Sequence, residues 1–129
     1  MSVAVASSGA LRQLADAWLL DRRFTVLSSE HVLDEVERAL AKPFFARRIT
    51  ARDRAAYSAL LRREVVVVRP RTNVHGVASH AEDDAVLAAA LDGGARYLVT
   101  GDRDLRVLER FRGIEIVSPR EVVDLIPDS

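Results

Sequence analysis

Apolar residues fall at helical spacing in some stretches of this chain and in short unbroken runs in others. Leu11, Leu14, Ala15, Trp18 and Leu19 follow i, i+3, i+4, i+7, i+8, which predicts an amphipathic helix over residues 9–20. Phe24-Thr-Val-Leu27 is a short β-prone run. Ser28 or Ser29 then caps a helix to about Leu40, with Val32, Leu33, Val36, Ala39 and Leu40 on its inner arc, and Pro43 ends it. Thr50-Ala-Arg-Asp53 has the form of a capping box with Asp in place of Glu. It opens a helix through about Arg63 whose buried side is Tyr57, Leu60 and Leu61. Val65-Val-Val-Val68, β-branched throughout, predicts a strand covered on both faces, and Pro70 to His80 an irregular loop. Residues 83–91 are apolar nearly all round, as a buried helix requires, and Gly93-Gly94 stop it. Strands over 97–100 and 114–117 flank a short helix near Asp102 to Leu108, and Ser118-Pro119 opens a last helix.

Strands alternating with helices imply βαβ units and a parallel sheet, hence an α/β fold built as a three-layer sandwich. The 129 residues fit one domain with a real core, and 49% apolar against 29% charged residues is an ordinary globular balance. The absence of cysteine excludes disulfides, thiolate zinc sites and cysteine nucleophiles. No run approaches the ~18 apolar residues of a membrane span, so no membrane partner is expected. No basic head precedes an apolar run at the N-terminus, so no signal peptide is visible and a cytoplasmic location is expected.

Net charge is zero, which alone argues against a strong nucleic-acid binder. Its distribution is uneven. Between Lys42 and Arg63 stand seven basic residues (Lys42, Arg47, Arg48, Arg52, Arg54, Arg62, Arg63) against Asp53 alone. A basic arm beside an acidic pocket is what a nuclease acting on RNA needs; a solvated helical face is the plainer alternative.

The acids supply the pocket. Glu82-Asp83-Asp84 opens the buried helix, and Asp102 and Asp104 follow the strand 97–100 through Gly101. Glu35 lies at the edge of its helix's inner arc, where a carboxylate can lean into a cleft. Each acid singly is explained by capping, by the helix dipole or by exposure. Three in a row exceed what capping needs, and their repulsion asks for a cation. Ligands in open α/β sheets bind beyond the carboxyl ends of the strands, and hard divalent cations take oxygen ligands. Together these features point to a metal-dependent phosphodiesterase. His75 and His80, a loop pair without a third ligand, are weak grounds for zinc, and His31 is a surface helix residue. There is no phosphate-binding glycine loop and no nucleophile elbow. A phosphoacceptor receiver-like domain also gathers acids at strand ends, but it wants a lysine near the last strand, and Lys42 is nowhere near.

These residues in this order resemble the PIN domain family, in particular its bacterial toxins of toxin–antitoxin pairs. The stretch from Phe24 to Leu40 resembles that family's second strand and following helix, with Glu35 at the family's glutamate. Asp83-Asp84-Ala-Val-Leu-Ala-Ala-Ala-Leu is similar to the third acidic motif, with Asp84 as its metal-side carboxylate. Tyr97-Leu-Val-Thr-Gly-Asp102-Arg-Asp104-Leu is similar to the fourth, with Asp102 as ligand ahead of Asp104, which orients water or a ligand. The resemblance implies a Mg²⁺- or Mn²⁺-dependent endoribonuclease that cuts single-stranded RNA, leaves a 3′-hydroxyl, and has an antitoxin and a second protomer as partners. Glu35, Asp84 and Asp102 would be the metal ligands and, with Asp104, the catalytic set.

One departure stands out. The family begins with an apolar strand ending in an Asp-Thr-Asn motif that gives the first ligand, whereas no acid here precedes Asp16. The chain therefore resembles an N-terminally truncated PIN domain, with a gap expected between the strands at 24–27 and 97–100. Val3 and Val5 can partly fill it, without a carboxylate. The alternative function is a catalytically inactive PIN-like module that binds an antitoxin or another PIN protomer.

Overall fold

The computed structural model describes residues 2–21, 24–69 and 81–125; within these, the side chains of residues 16, 17, 19–21, 81–83 and 123 are not described. The expected loop from Pro70 to His80, and Leu19 as a core residue, lie outside the described residues. The chain runs β1 (Ser2–Val5), α1 (Ser8–Asp21), β2 (Thr25–Ser28), α2 (Glu30–Leu40), α3 (Pro43–Ala46), α4 (Ala51–Glu64) and β3 (Val66–Val67). It continues through α5 (Ala81–Asp92), β4 (Tyr97–Val99), α6 (Arg103–Arg106), β5 (Arg110–Phe111), β6 (Ile114–Val117) and α7 (Pro119–Leu125).

Six strands form one sheet in the order β3-β2-β1-β4-β6-β5, parallel except for the β5–β6 pair. The expected gap is filled. β1 lies between β2 and β4, with Val3 opposite both Val26 and Tyr97. Val3, Ala4 and Val5 are all buried, as a central parallel strand must be. A run of β-branched residues with one small alanine suits that place, because its two faces meet different layers.

Alternation along the strands sorts the core into two clusters. Val3, Val5, Val26, Val99 and Val117 face α1, α2, α4 and α7 through Leu11, Leu14, Trp18, Val32, Val36, Leu61 and Val122. Ala4, Leu27, Leu98 and Ile116 face α5 and α6 through Leu87, Ala88, Ala90 and Leu105. Helices thus cover both faces, and the three-layer α/β sandwich holds. The alanines of α5 explain how a helix with almost no polar face sits close against the sheet. Its end is a Schellman turn: Ala95 N–H reaches Ala90 C=O at 2.9 Å, Gly94 N–H reaches Leu91 C=O at 3.1 Å, and Gly94 takes φ +67°.

Caps fall as the side chains dictate. Ser29 accepts from Val32 N–H, and Thr50 from Asp53 N–H. Three further details differ from the sequence reading. Pro43 does not merely end α2; it takes the first position of a short helix, α3, where its missing N–H costs nothing. The valine run after Glu64 yields only Val66–Val67 as strand, at the sheet edge, with Val66 47% exposed rather than covered on both faces. β5 was not foreseen; it is a hairpin partner of β6, turned by Arg112 and Gly113 with positive φ.

Candidate functional site

Parallel order reverses between β1 and β4: the chain moves from β1 outward to β2 and β3, then returns beyond β1 to β4. Such a switch point opens a crevice at the carboxyl ends of the two strands. What stands there follows from the residues just past each strand.

β4 continues into Thr100, Gly101 and Asp102. Thr100 is 1% exposed, and its hydroxyl accepts from Asp102 N–H at 3.0 Å. Asp102 Oδ1 accepts in turn from Asp104 N–H at 2.9 Å, which makes Asp102 the N-cap of α6. Thr100 thus braces the turn that presents Asp102. Asp104, in the first turn of α6, is exposed.

Asp84 lies near the start of α5 and is only 7% exposed. Val86, two residues on, lines a small gap with Val5, Ser28 and Ser29 at the carboxyl ends of β1 and β2. The beginning of α5 therefore reaches this same edge. At a helix start the backbone dipole favours a carboxylate such as Asp84.

Glu35 is half-buried on α2, and its Oε1 lies 2.6 Å from Nε2 of His31, one turn earlier. Sequence reading treated the two separately, although their i, i+4 spacing was a visible signal. At β1 the edge carries no acid: the strand runs into Ala6, whose N–H bonds Val99 C=O at 2.9 Å, and Ser7, whose hydroxyl caps α1 through Ala10 N–H. Ser28 Oγ donates to Val5 C=O at 2.8 Å, tying the ends of β1 and β2 together. This hydroxyl role was not legible, because it depends on which strands become neighbours.

Asp84 thus stands near the start of α5, Asp102 just past the carboxyl end of β4, and Glu35 faces His31. Among the described residues, no three His, Cys, Asp or Glu side chains gather into a cation-holding group. Carboxylate oxygens are the donor type that hard divalent cations take.

The family model described as "PIN domain" matches residues 1–104. Among solved structures, the crystal structure of Mycobacterium tuberculosis VapC20, titled a sarcin-ricin loop cleaving toxin, aligns with a TM-score of 0.54. The alignment has 18% sequence identity and covers 89% of this chain and 99% of that one, a likeness of fold. No curated protein matches the sequence. With its sheet order, strand-end acids and a family match over most of its length, the chain belongs to the PIN domain family.

Proposed function

We propose that this protein is a PIN-type endoribonuclease, the toxin of a toxin–antitoxin pair acting in the cytoplasm, which hydrolyses phosphodiester bonds in single-stranded RNA. The observation that carries this reading is the family match over residues 1–104, and it is supported by buried Asp84 near the start of α5 and by Asp102 just past β4, in a turn braced by Thr100. Family membership and the toxin-like fold support it. Asp84 and Asp102 are the metal-side carboxylates, with Glu35 the third once it leaves His31. Mg²⁺ or Mn²⁺, when bound, lowers the pKa of a water and steadies charge on the scissile phosphate. Asp102 keeps one carboxylate oxygen beyond its cap bond for that task, and Asp104 orients water or a ligand from the next turn. An antitoxin and a second protomer are the partners this reading implies.

A second reading has its own observation. The central strand ends in Ala6 and Ser7 rather than in an acid, which favours an inactive PIN-like module that binds an antitoxin or another PIN protomer. One assay separates the two. RNA cleavage is measured with Mg²⁺ and with EDTA for the parent chain, for Asp84→Asn, and for Ala6→Asp, which adds a carboxylate at the end of β1. The nuclease reading expects cleavage lost in EDTA, reduced at least ~100-fold by Asp84→Asn, and raised by Ala6→Asp. Cleavage that persists through both EDTA and Asp84→Asn removes this assignment. No cleavage by the parent or by Ala6→Asp leaves the binding module.

A further inference from the structure

The basic stretch between α2 and α4 divides sharply once it is folded. Arg62 is fully engaged: Nε meets Glu37 at 2.7 Å, Nη1 meets Glu30 at 2.9 Å, and Nη2 meets Asp34 at 2.8 Å. Those three carboxylates on α2 hold its guanidinium charged well above the ordinary range, Glu37 contributing most. Lys42, Arg47, Arg48 and Arg52 differ. All four are exposed, and among the described residues none is ion-paired to a carboxylate. Between Lys42 and Arg52 the sequence has no acid. Three of these cations flank α3 and the fourth opens α4, a local positive field that net neutrality conceals.

An aromatic ring stands inside that field. Phe44 on α3 is 58% exposed, the most open ring among the large exposed apolar side chains. Arg48 lies over it with its guanidinium carbon 3.9 Å from the ring centroid, fixed there by a 2.8 Å bond from Nη1 to Phe44 C=O. Phe45 braces the ring edge-to-face at a centroid distance of 5.0 Å and is itself anchored against the core. A phenylalanine kept in solvent by its own helix, under a guanidinium held at stacking distance, is a flat π surface rather than a core residue that failed to bury.

We propose that α3 and its flanks form a binding platform for single-stranded RNA. One unpaired base stacks on the Phe44–Arg48 pair, and Lys42, Arg47 and Arg52 meet the neighbouring phosphates. Every base offers a π face, so the platform is tolerant of sequence, and the cations track the backbone. An acidic protein segment matches the charge but has no use for the stacked ring and guanidinium. The platform rests on the RNA-directed reading above for its biological ligand, yet it uses none of the candidate acids, so the two fail separately.

The test uses the unaltered chain in EDTA, where no cleavage interferes, and follows a fluorescently labelled mixed-sequence single-stranded RNA 12-mer by anisotropy. Phe44→Ala weakens binding by roughly tenfold, and Phe44→Trp keeps it, with indole emission quenched on RNA addition. Arg47→Ala with Arg52→Ala lowers the salt slope of log K by about 1.4, or about 0.7 per lost phosphate contact. Because Phe44, Arg47 and Arg52 are all exposed, these variants melt with the parent. Unchanged RNA affinity in Phe44→Ala overturns the platform, as does equal binding of a fully paired duplex or tighter binding of a poly-glutamate peptide. Binding that depends on Phe44 in a chain that never cleaves RNA keeps the platform and ends the nuclease reading.

Discussion

Ser118 and Glu121 show how single side chains set local structure here. Each bonds the other's backbone N–H, at 3.1 Å in both directions, in a reciprocal cap at the start of α7. Bonds from Ser118, first its N–H and then its hydroxyl, hold the Glu121 carboxyl below its ordinary pKa. A carboxyl depressed in the folded state stabilises above its unfolded pKa, and that contribution fades as pH falls through the folded value. Ser118→Ala should therefore raise the Glu121 pKa partway back, as a carboxyl ¹³C titration by NMR would read, and cost about 1 kcal/mol of capping. Unchanged titration would mean the cap does not persist in solution. The candidate acids were legible at this scale because their spacing from a strand end or a helix start is local. Glu35's engagement with His31 was legible only in part, since spacing permits the pair without selecting it.

Between elements, Arg62 ties α4 to α2, gripping Glu30, Asp34 and Glu37 along one stripe of the partner helix. Exposed pairs contribute little singly, but one guanidinium shared among three acids also relieves their mutual repulsion. Arg62→Ala should lower Tm by on the order of 3 °C at low salt, with the difference shrinking toward high salt as screening replaces the arginine. A salt-independent difference in a melting series would instead place the effect in packing. Two elements escaped sequence reading for distinct reasons. α3 had a signal, Pro43 at a helix start, which also serves as a helix stop. β5 had none: two residues become strand only because β6 is beside them.

The whole molecule turns on β1. A strand of four residues with no charge at its end holds the centre of the sheet, and both core clusters close over it. Deleting residues 2–6 should abolish the cooperative thermal transition rather than merely lower it, because β2 and β4 then lose their common neighbour. A cooperative melt by calorimetry in the shortened chain would show that the sheet closes without β1. The same placement fixes the site, since the crevice exists only where β1 and β4 diverge in connectivity.

By itself the sequence determined the α/β class, nearly every helix and its caps, and the placing of Asp84 near a helix start and of Asp102 just past a strand, because periodicity, capping and strand-end position are written within a few residues. Only the tertiary structure decided that Ser2–Val5 fills the centre, that Arg62 is neutralised while Lys42, Arg47, Arg48 and Arg52 are not, and that Phe44 stays in solvent. Those outcomes depend on which distant segments become neighbours. Pairing, charge compensation and burial are properties of contacts, and no window of adjacent residues contains them.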